Sequence, residues 1–327
     1  MHSLTYADIK TAADRIAGHV RPVTVTGADP DAEAYELHLA LELMQYTGSF
    51  KARGARNFLL AHGEEGTLPA AGVTIASGGN AGLACAWAAL RQGVRATVFL
   101  PATAPRVKVD KLLGLGADVR LVGTEYAEAL TACETFAAET GALASHAYDH
   151  PLIAAGAGTL LDEIHERIPG LDTVVVAVGG GGLFAGVATA ARHHGIRTVA
   201  VEPENCRALD AALRAGHPVD VGVDSVAADS LGARRVSATA LAAARQDDVR
   251  TVLVTDTEIV RARRALWDDR RLAVEHAAAT ALAALAPPDG SGPTDRGYRP
   301  GPGEKICVVL CGANTDPGDL TGTTATV

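Results

Sequence analysis

A predicted strand followed at once by four glycines sets the strongest limit on how this chain can fold. Residues 173–178 read TVVVAV, a nearly continuous run of β-branched side chains, and the glycines occupy positions 179–182. Such a run is typical of a parallel strand whose sheet is covered on both faces. Because a helix is predicted directly afterwards, over residues 183–194, the stretch indicates one strand–turn–helix unit of an α/β protein.

The same alternation of strands and helices extends along most of the chain. We predict strands at 35–43, 73–76, 95–100, 118–122, 173–178, 198–201, 252–254 and 306–310. We predict helices at 5–17, 52–61, 79–91, 105–113, 125–139, 151–167, 183–194, 207–214, 256–271 and 274–286, and loops at 220–229 and 287–303. This order implies parallel sheets with right-handed connections, and a length of 327 residues suggests two domains.

The composition argues against several classes of protein. A net charge of -9 provides no basic surface for nucleic acid. The sequence lacks the roughly 18 consecutive apolar residues that a membrane span needs, and its first ten residues lack the apolar segment of a secretion signal. An odd number of cysteines without CxxC spacing is expected to be reduced, in a cytoplasmic protein. They are Cys85, Cys133, Cys206, Cys307 and Cys311.

The stretch TGSFKARGA, residues 47–55, contains the most informative side chain, Lys51. Lys51 follows Phe50 and precedes a helix-forming run, so its amine is expected at a helix start in an apolar setting. Both features disfavour the ammonium form, and a lysine that is partly neutral is a nucleophile able to form a Schiff base. The alternative is a surface lysine whose stem packs on the protein while its amine reaches water.

Three further stretches lie at predicted strand ends. Four glycines at 179–182 before a helix predict a cradle of backbone N–H groups for one phosphate, or else a tight turn without a ligand. Residues 77–82, SGGNAG, predict a carboxylate site or an ordinary helix N-cap. Residues 311–314, CGAN, offer a thiol to a ring nitrogen, or a buried structural cysteine.

In this order, the four stretches resemble the fold-type II pyridoxal-phosphate enzymes, specifically the serine/threonine dehydratase and serine racemase group. The resemblance covers nearly the whole chain, from residue 37 to 314. It implies an α/β fold of two domains, each an open and mostly parallel sheet flanked by helices, as in the β subunit of tryptophan synthase. The large, cofactor-binding domain would comprise residues 1–48 and 150–327, and a small, mobile domain that closes on the substrate would comprise 49–149. A homodimer is also implied.

The resemblance implies a role for each matching residue. Lys51 corresponds to the lysine that holds pyridoxal 5'-phosphate and Phe50 flanks the ring, while Asn80 contacts the 3'-oxygen and Cys311 faces the ring nitrogen. The phosphate would be bound by Gly179, Gly180, Gly181 and Gly182. The substrate carboxylate would be bound by Ser77, Gly78, Gly79, Asn80 and Ala81. Glu275 resembles a family glutamate, although His276 replaces the proline that usually follows it.

The implied reaction is β-elimination of water from a 3-hydroxy amino acid such as L-threonine, L-serine or a bulkier analogue, giving a 2-oxo acid and ammonia. A thiol is too weak an acid to enforce a fully charged pyridinium ring, which favours elimination. Lys51 would be the base at Cα. Racemases of this group carry a second serine as the base on the opposite face, and Gly78 stands at that position, so little racemisation is expected.

Three alternatives stay open at this point. They are β-replacement of the cysteine-synthase type, racemisation, and a catalytically silent protein that binds the cofactor. Ala81 argues against β-replacement, where a threonine commonly follows the asparagine, and both Ala81 and Gly78 leave room for a bulkier substrate. We expect no divalent metal site, because Ala208 stands where some relatives carry an aspartate ligand beyond Glu202. Glu202 is then expected to bind a monovalent ion or to be a solvated carboxylate.

Overall fold

A computed structural model describes residues 4–27, 35–285 and 297–321 of the chain. This part of the chain contains thirteen α-helices, besides two short 3-10 helices at Glu42–Met44 and Tyr46–Gly48. They are α1 (Tyr6–Ile16), α2 (Lys51–Glu64), α3 (Asn80–Gln92), α4 (Arg106–Gly114), α5 (Tyr126–Thr140), α6 (Pro151–Arg167), α7 (Gly182–His193), α8 (Ala208–Ala215), α9 (Ala228–Leu231), α10 (Ala238–Ala244), α11 (Asp256–Arg270), α12 (His276–Ala283) and α13 (Gly318–Thr321). None that lies in the described ranges has the length and apolarity that crossing a membrane requires.

Within the described residues, nine strands form two separate sheets in which every strand pair is parallel. The strands are β1 (Glu36–Ala40), β2 (Val73–Ala76), β3 (Ala96–Leu100), β4 (Asp118–Leu121), β5 (Leu143–Ala144), β6 (Thr173–Ala177), β7 (Arg197–Pro203), β8 (Val249–Val254) and β9 (Lys305–Val309). The larger sheet has the order β1-β9-β6-β7-β8, and the smaller one β4-β3-β2-β5. The predicted fold class, two open parallel sheets flanked by helices, is therefore confirmed.

The β-branched strand behaves as its composition predicts. β6 lies in the middle of the larger sheet, between β9 and β7, and all five of its residues are buried. Behind it, α6 and α7 approach each other through glycines: a Cβ on Gly186 would lie 2.3 Å from the carbonyl oxygen of Ala154. This contact is backbone on backbone, so only glycine fits there.

Arg53 ties α2 to α6 through a buried ion-pair cluster. Its guanidinium is fully buried and donates to Glu42 Oε1 and to Glu163 Oε1, each at 2.6 Å. Glu42 is itself 1% exposed. The motif that contains Lys51 therefore also provides, two residues on, a structural anchor between α2 and the helices of the larger sheet.

Some predicted elements were wrong in extent or missing. Residues 41–43 leave the predicted first strand, which ends at Ala40, and the predicted loop at 220–229 ends in the start of α9. α10 and the two-residue β5 were not predicted. Tyr298 falls in the predicted surface loop 287–303 but is buried, and residues 287–296 of that loop lie outside the described ranges. The division into domains at residues 48–49 and 149–150 stays a prediction.

Candidate active site

The N-terminal ends of four helices meet at one cavity of about 430 Å³. α2 begins at Lys51, α3 at Asn80, α7 at Gly182 and α12 directly after Glu275. Helix N-termini carry partial positive charge and unpaired N–H groups, so this convergence favours an anionic ligand. The lining residues are Phe50, Lys51, Asn80, Tyr148, Ala177, Gly179, Gly180, Gly181, Gly182, Leu183, Phe184, Ser230, Leu231, Glu275, Ala277 and Cys311.

Lys51 has the setting that the sequence predicts, as the first residue of a helix and in an apolar surrounding. Its Nζ donates to the carbonyl oxygen of Ala147 at 2.6 Å and lies 4.8 Å from the centroid of the Phe50 ring. Burial lowers the pKa of the Lys51 amine to about 8, although the nearby Cys311 and Glu275 side chains oppose that shift. Because Lys51 lines the cavity and its amine donates to a backbone carbonyl oxygen, the alternative of a surface lysine is disfavoured.

Backbone pairing explains why Lys51 and Cys311 meet despite their distance in sequence. The N–H of Phe50 donates to the carbonyl oxygen of Cys311 at 3.0 Å, and Ser49 forms a bridge with Gly312. Cys311 is buried, and desolvation together with the nearby Glu275 raises the pKa of its thiol well above the ordinary value. The thiol is therefore protonated near neutral pH and can act as a weak S–H donor.

Asn80 is held at both ends of its amide. Its Nδ2 donates to both carboxylate oxygens of Glu275 at 3.0 Å, and its Oδ1 accepts a hydrogen bond of 2.7 Å from Asn314 Nδ2. Asn314 Nδ2 also donates to the carbonyl oxygen of Thr47, at 2.7 Å. Glu275 thus lies in the site although His276 replaces the expected proline. By accepting both hydrogen bonds from Nδ2, it sets the orientation of the Asn80 amide.

The glycine run is required by packing whatever ligand it holds. A Cβ on Gly180 would lie 2.2 Å from the ring of Tyr148, and one on Gly182 would lie 2.9 Å from the carbonyl oxygen of Tyr148. Gly181 has a φ of +94°, in the left-handed region. The tight-turn interpretation therefore applies, and the phosphate-binding interpretation stays a prediction for the same four residues, which line the cavity.

The predicted carboxylate loop borders a second cavity of about 350 Å³ that shares Asn80, Ser230 and Glu275 with the first. Gly78 and Gly79 line it, whereas Ser77 and Ala81 line neither cavity. Its other lining residues are Leu83, Lys108, Lys111, Asp229 and Asn314. The two cavities lie side by side around Asn80.

Sequence reasoning missed Tyr148 and Ser230. The Tyr148 hydroxyl donates to the carbonyl oxygen of Arg235 at 3.0 Å, which holds the ring against the glycines. The available signal was the loop HAYDH at 146–150, with its aromatic and titratable residues just before the helix-starting Pro151. Ser230 lies in α9, which was predicted to begin as loop, and no local pattern marks it.

Glu202 corrects one expectation, because it is not a solvated carboxylate. It is 2% exposed, and its two oxygens accept the N–H groups of Leu209 at 2.7 Å and Asp210 at 2.9 Å. Glu202 therefore caps the N-terminus of α8, whose first residue is Ala208.

Comparison with known proteins identifies related chains. The profile of the family described as "Pyridoxal-phosphate dependent enzyme" matches residues 18–312. The chain is 35% identical over 317 residues to the L-threonine ammonia-lyase of Geobacter sulfurreducens, an alignment that covers 96% of this chain and 76% of that protein. It is 36% identical over 282 residues to the phenylserine dehydratase of Ralstonia pickettii, covering 86% and 83% of the two chains.

A solved structure agrees with these sequence matches. The structure of maize serine racemase superposes with a TM-score of 0.86 at 29% identity, covering 98% of this chain and 96% of that one. The similarity therefore extends over nearly the whole chain.

Proposed function

This chain belongs to the family of pyridoxal-phosphate dependent enzymes, and from that premise we propose how the site described above carries out its reaction. The chain is a lyase that removes water from a 3-hydroxy amino acid by β-elimination. Hydrolysis of the released unsaturated amine, which takes up one water, yields the 2-oxo acid and ammonia. One observation supports the assignment of the site most directly. An amine of lowered pKa, a helix N-terminus built of glycines and a protonated thiol line a single cavity.

These residues fit the cofactor group by group. Lys51 provides the amine for its aldehyde, and the glycine N–H groups at the start of α7 provide a cradle for its one phosphate. The Cys311 S–H provides a donor for the ring nitrogen, and Asn80 lies beside Lys51 for the 3'-oxygen. When bound, pyridoxal phosphate supplies an aldehyde that condenses with amines and a ring that withdraws electrons from the bonds at Cα.

Lys51 has two tasks in this proposal. Its Nζ would hold the cofactor, and the same Nζ would remove the proton from Cα of the bound amino acid. Burial keeps this amine partly neutral near pH 8, which a base requires. Asn80, held by Glu275 and Asn314, keeps a fixed position beside it.

Gly78 supports elimination over racemisation. Racemisation with two bases needs a second proton carrier on the face opposite Lys51, and glycine carries none. A Cβ on Gly78 would lie 2.3 Å from Leu100 Cδ2, the end of a flexible side chain. A side chain there would require Leu100 to move.

The function is tested with holoenzyme reconstituted with pyridoxal phosphate. We expect 2-oxo acid release from L-serine, L-threonine or L-phenylserine, with racemisation of the same amino acid at least about a hundredfold slower, since a general base contributes about that factor or more. Chiral chromatography of the residual substrate measures the second rate. Racemisation as fast as elimination, or thiol-dependent β-replacement without oxo acid release, would contradict the proposal.

The pKa of Lys51 predicts how cofactor loading depends on pH. Only the neutral amine attacks an aldehyde, so incorporation into the apoprotein should rise about tenfold per pH unit below pH 8 and level off above it. Absorbance of the bound cofactor follows this rate in a stopped-flow instrument. The control is Nα-acetyllysine, whose ordinary amine should still gain in rate beyond pH 9. The lowered pKa would be contradicted if the rate of cofactor incorporation kept rising with pH over the same range as the rate for Nα-acetyllysine.

The remaining assignments belong to the same proposal. We propose that the smaller sheet, within residues 49–149, moves as the mobile domain. We also propose that the protein is a cytoplasmic homodimer; its five free cysteines are all buried, which suits a reducing compartment. Light scattering of the purified protein tests the dimer.

A further inference from the structure

The second cavity contains two lysines beside the loop that we assign to the substrate carboxylate. Lys108 and Lys111 lie three residues apart on α4, so their side chains are on the same face of that helix. Gly78, Gly79 and Asn80 line the same cavity. Apart from Lys51, which is assigned to the cofactor, these lysines are the cationic side chains of the two cavities.

Lys108 already has an anionic partner in this structure. Its Nζ forms an ion pair with Asp229 of α9, across the second cavity. The Lys108 side chain is 31% exposed and that of Asp229 is 67% exposed. Pairs this exposed contribute little to stability, so the exchange of one carboxylate for another at Lys108 carries a small cost.

The charges around the cavity make such an exchange necessary. Asp229 and Glu275 both line it, and the charge of Asp229 contributes to raising the pKa of Glu275. A substrate carboxylate at residues 77–81 would be the third acidic group in this space. Like charges at short range repel, so a cation must become available as the substrate arrives.

We infer that Lys108 is the specificity-determining residue for the substrate carboxylate, and that its Nζ leaves Asp229 to pair with that carboxylate when the amino acid binds. The Asp229 carboxylate, which is already largely exposed, is then hydrated by solvent in place of its ion pair with Lys108. The inference rests on the proposed function, because it takes residues 77–81 as the carboxylate loop. Asp229 then competes with the substrate carboxylate for Lys108, and its ion pair does not serve mainly to hold α4 against α9.

The test measures binding without turnover. L-Alanine has no β-hydroxyl group to eliminate, and L-alaninamide has the same amine without the carboxylate. Calorimetric titration of each ligand into the reconstituted holoenzyme gives two affinities for wild type, Lys108→Gln and Asp229→Asn. Arg106→Gln is the matched control, because Arg106 lies on the same helix, is 84% exposed and pairs with Asp110 outside the cavity.

If Asp229 competes with the substrate, Asp229→Asn should not weaken ligand binding, whereas if Asp229 holds Lys108 in place, the same change should weaken it. We expect Lys108→Gln to weaken L-alanine binding about tenfold, as for the loss of a charge-assisted hydrogen bond, and to leave L-alaninamide binding unchanged. Asp229→Asn should bind L-alanine as tightly as wild type or more tightly, and Arg106→Gln should match wild type. The inference is overturned if Asp229→Asn weakens L-alanine as Lys108→Gln does, or if Lys108→Gln leaves L-alanine unchanged or affects both ligands equally. Wild type that binds neither ligand overturns the proposed function, and this inference with it.

Discussion

Replacing Lys51 with alanine is expected to remove the visible absorbance band of the bound cofactor and to lower kcat by at least about a thousandfold, because the variant loses both the amine that holds the cofactor and the base at Cα. The two losses concern one atom, Nζ, whose place in the cavity is fixed by the start of α2 and by the carbonyl oxygen of Ala147. Spectra of the reconstituted protein and a 2-oxo acid assay measure them separately.

Lys10→Ala is the control for this experiment, since Lys10 is exposed on α1, away from both cavities. It should keep both the absorbance band and the rate. Circular dichroism shows whether each variant is folded. A folded Lys51→Ala protein that still turns over substrate near the wild-type rate would show that the site lies elsewhere.

Arg53→Ala is expected to cause the largest loss of stability, lowering the free energy of unfolding by about 3–5 kcal/mol. The change leaves the carboxylate of Glu42, 1% exposed, without the guanidinium that neutralises it. Burial already raises the pKa of Glu42, and Arg53 opposes that shift. Urea denaturation of the apoprotein measures the loss.

Repeating the urea denaturation at lower pH distinguishes the effect of the unpaired Glu42 charge from the effect of lost packing. Without Arg53 the pKa of Glu42 rises further, so protonation removes the buried charge and the deficit relative to wild type should shrink as pH falls. The exposed pair of Arg106 and Asp110 provides the control, where Arg106→Ala should cost no more than about 1 kcal/mol. If Arg53→Ala lowered the free energy of unfolding by a similarly small amount, the prediction would be contradicted, and water would have to hydrate the Glu42 carboxylate in the variant.

The parts of the site that the sequence predicts are those whose chemistry is local. Lys51 follows an aromatic residue and starts a helix, and the glycines end a strand, so the neighbouring residues predict both settings, while the resemblance to the family implies their roles. β6 was predicted because burial on both faces leaves only β-branched and small side chains.

The parts that could not be predicted depend on packing between distant segments. Tyr148 precedes α6 and contacts the glycines at the start of α7, and α6 packs on α7, so the contact joins segments that are about 30 residues apart in the chain. Glu202 was misread because its partners, the N–H groups of Leu209 and Asp210, are backbone atoms whose direction the side chains do not reveal. α10 was missed in an alanine-rich segment, although the Ser237 side chain that accepts the N–H of Ala240 is an N-cap signal.

The meeting of four helix starts at one cavity links cofactor supply to the survival of the chain. α2 and α3, which begin at Lys51 and Asn80, share a hydrophobic core with the smaller sheet, and α7 and α12, which begin at Gly182 and directly after Glu275, pack on the larger sheet. A partly folded chain lacks the complete site, so pyridoxal phosphate binds the fully folded form and draws the population towards it. At a concentration a hundred times Kd, a ligand of this kind adds about 2.7 kcal/mol to apparent stability. In a cell that is short of pyridoxal phosphate, we therefore expect more of this protein to be lost to proteolysis, in addition to the loss of its activity.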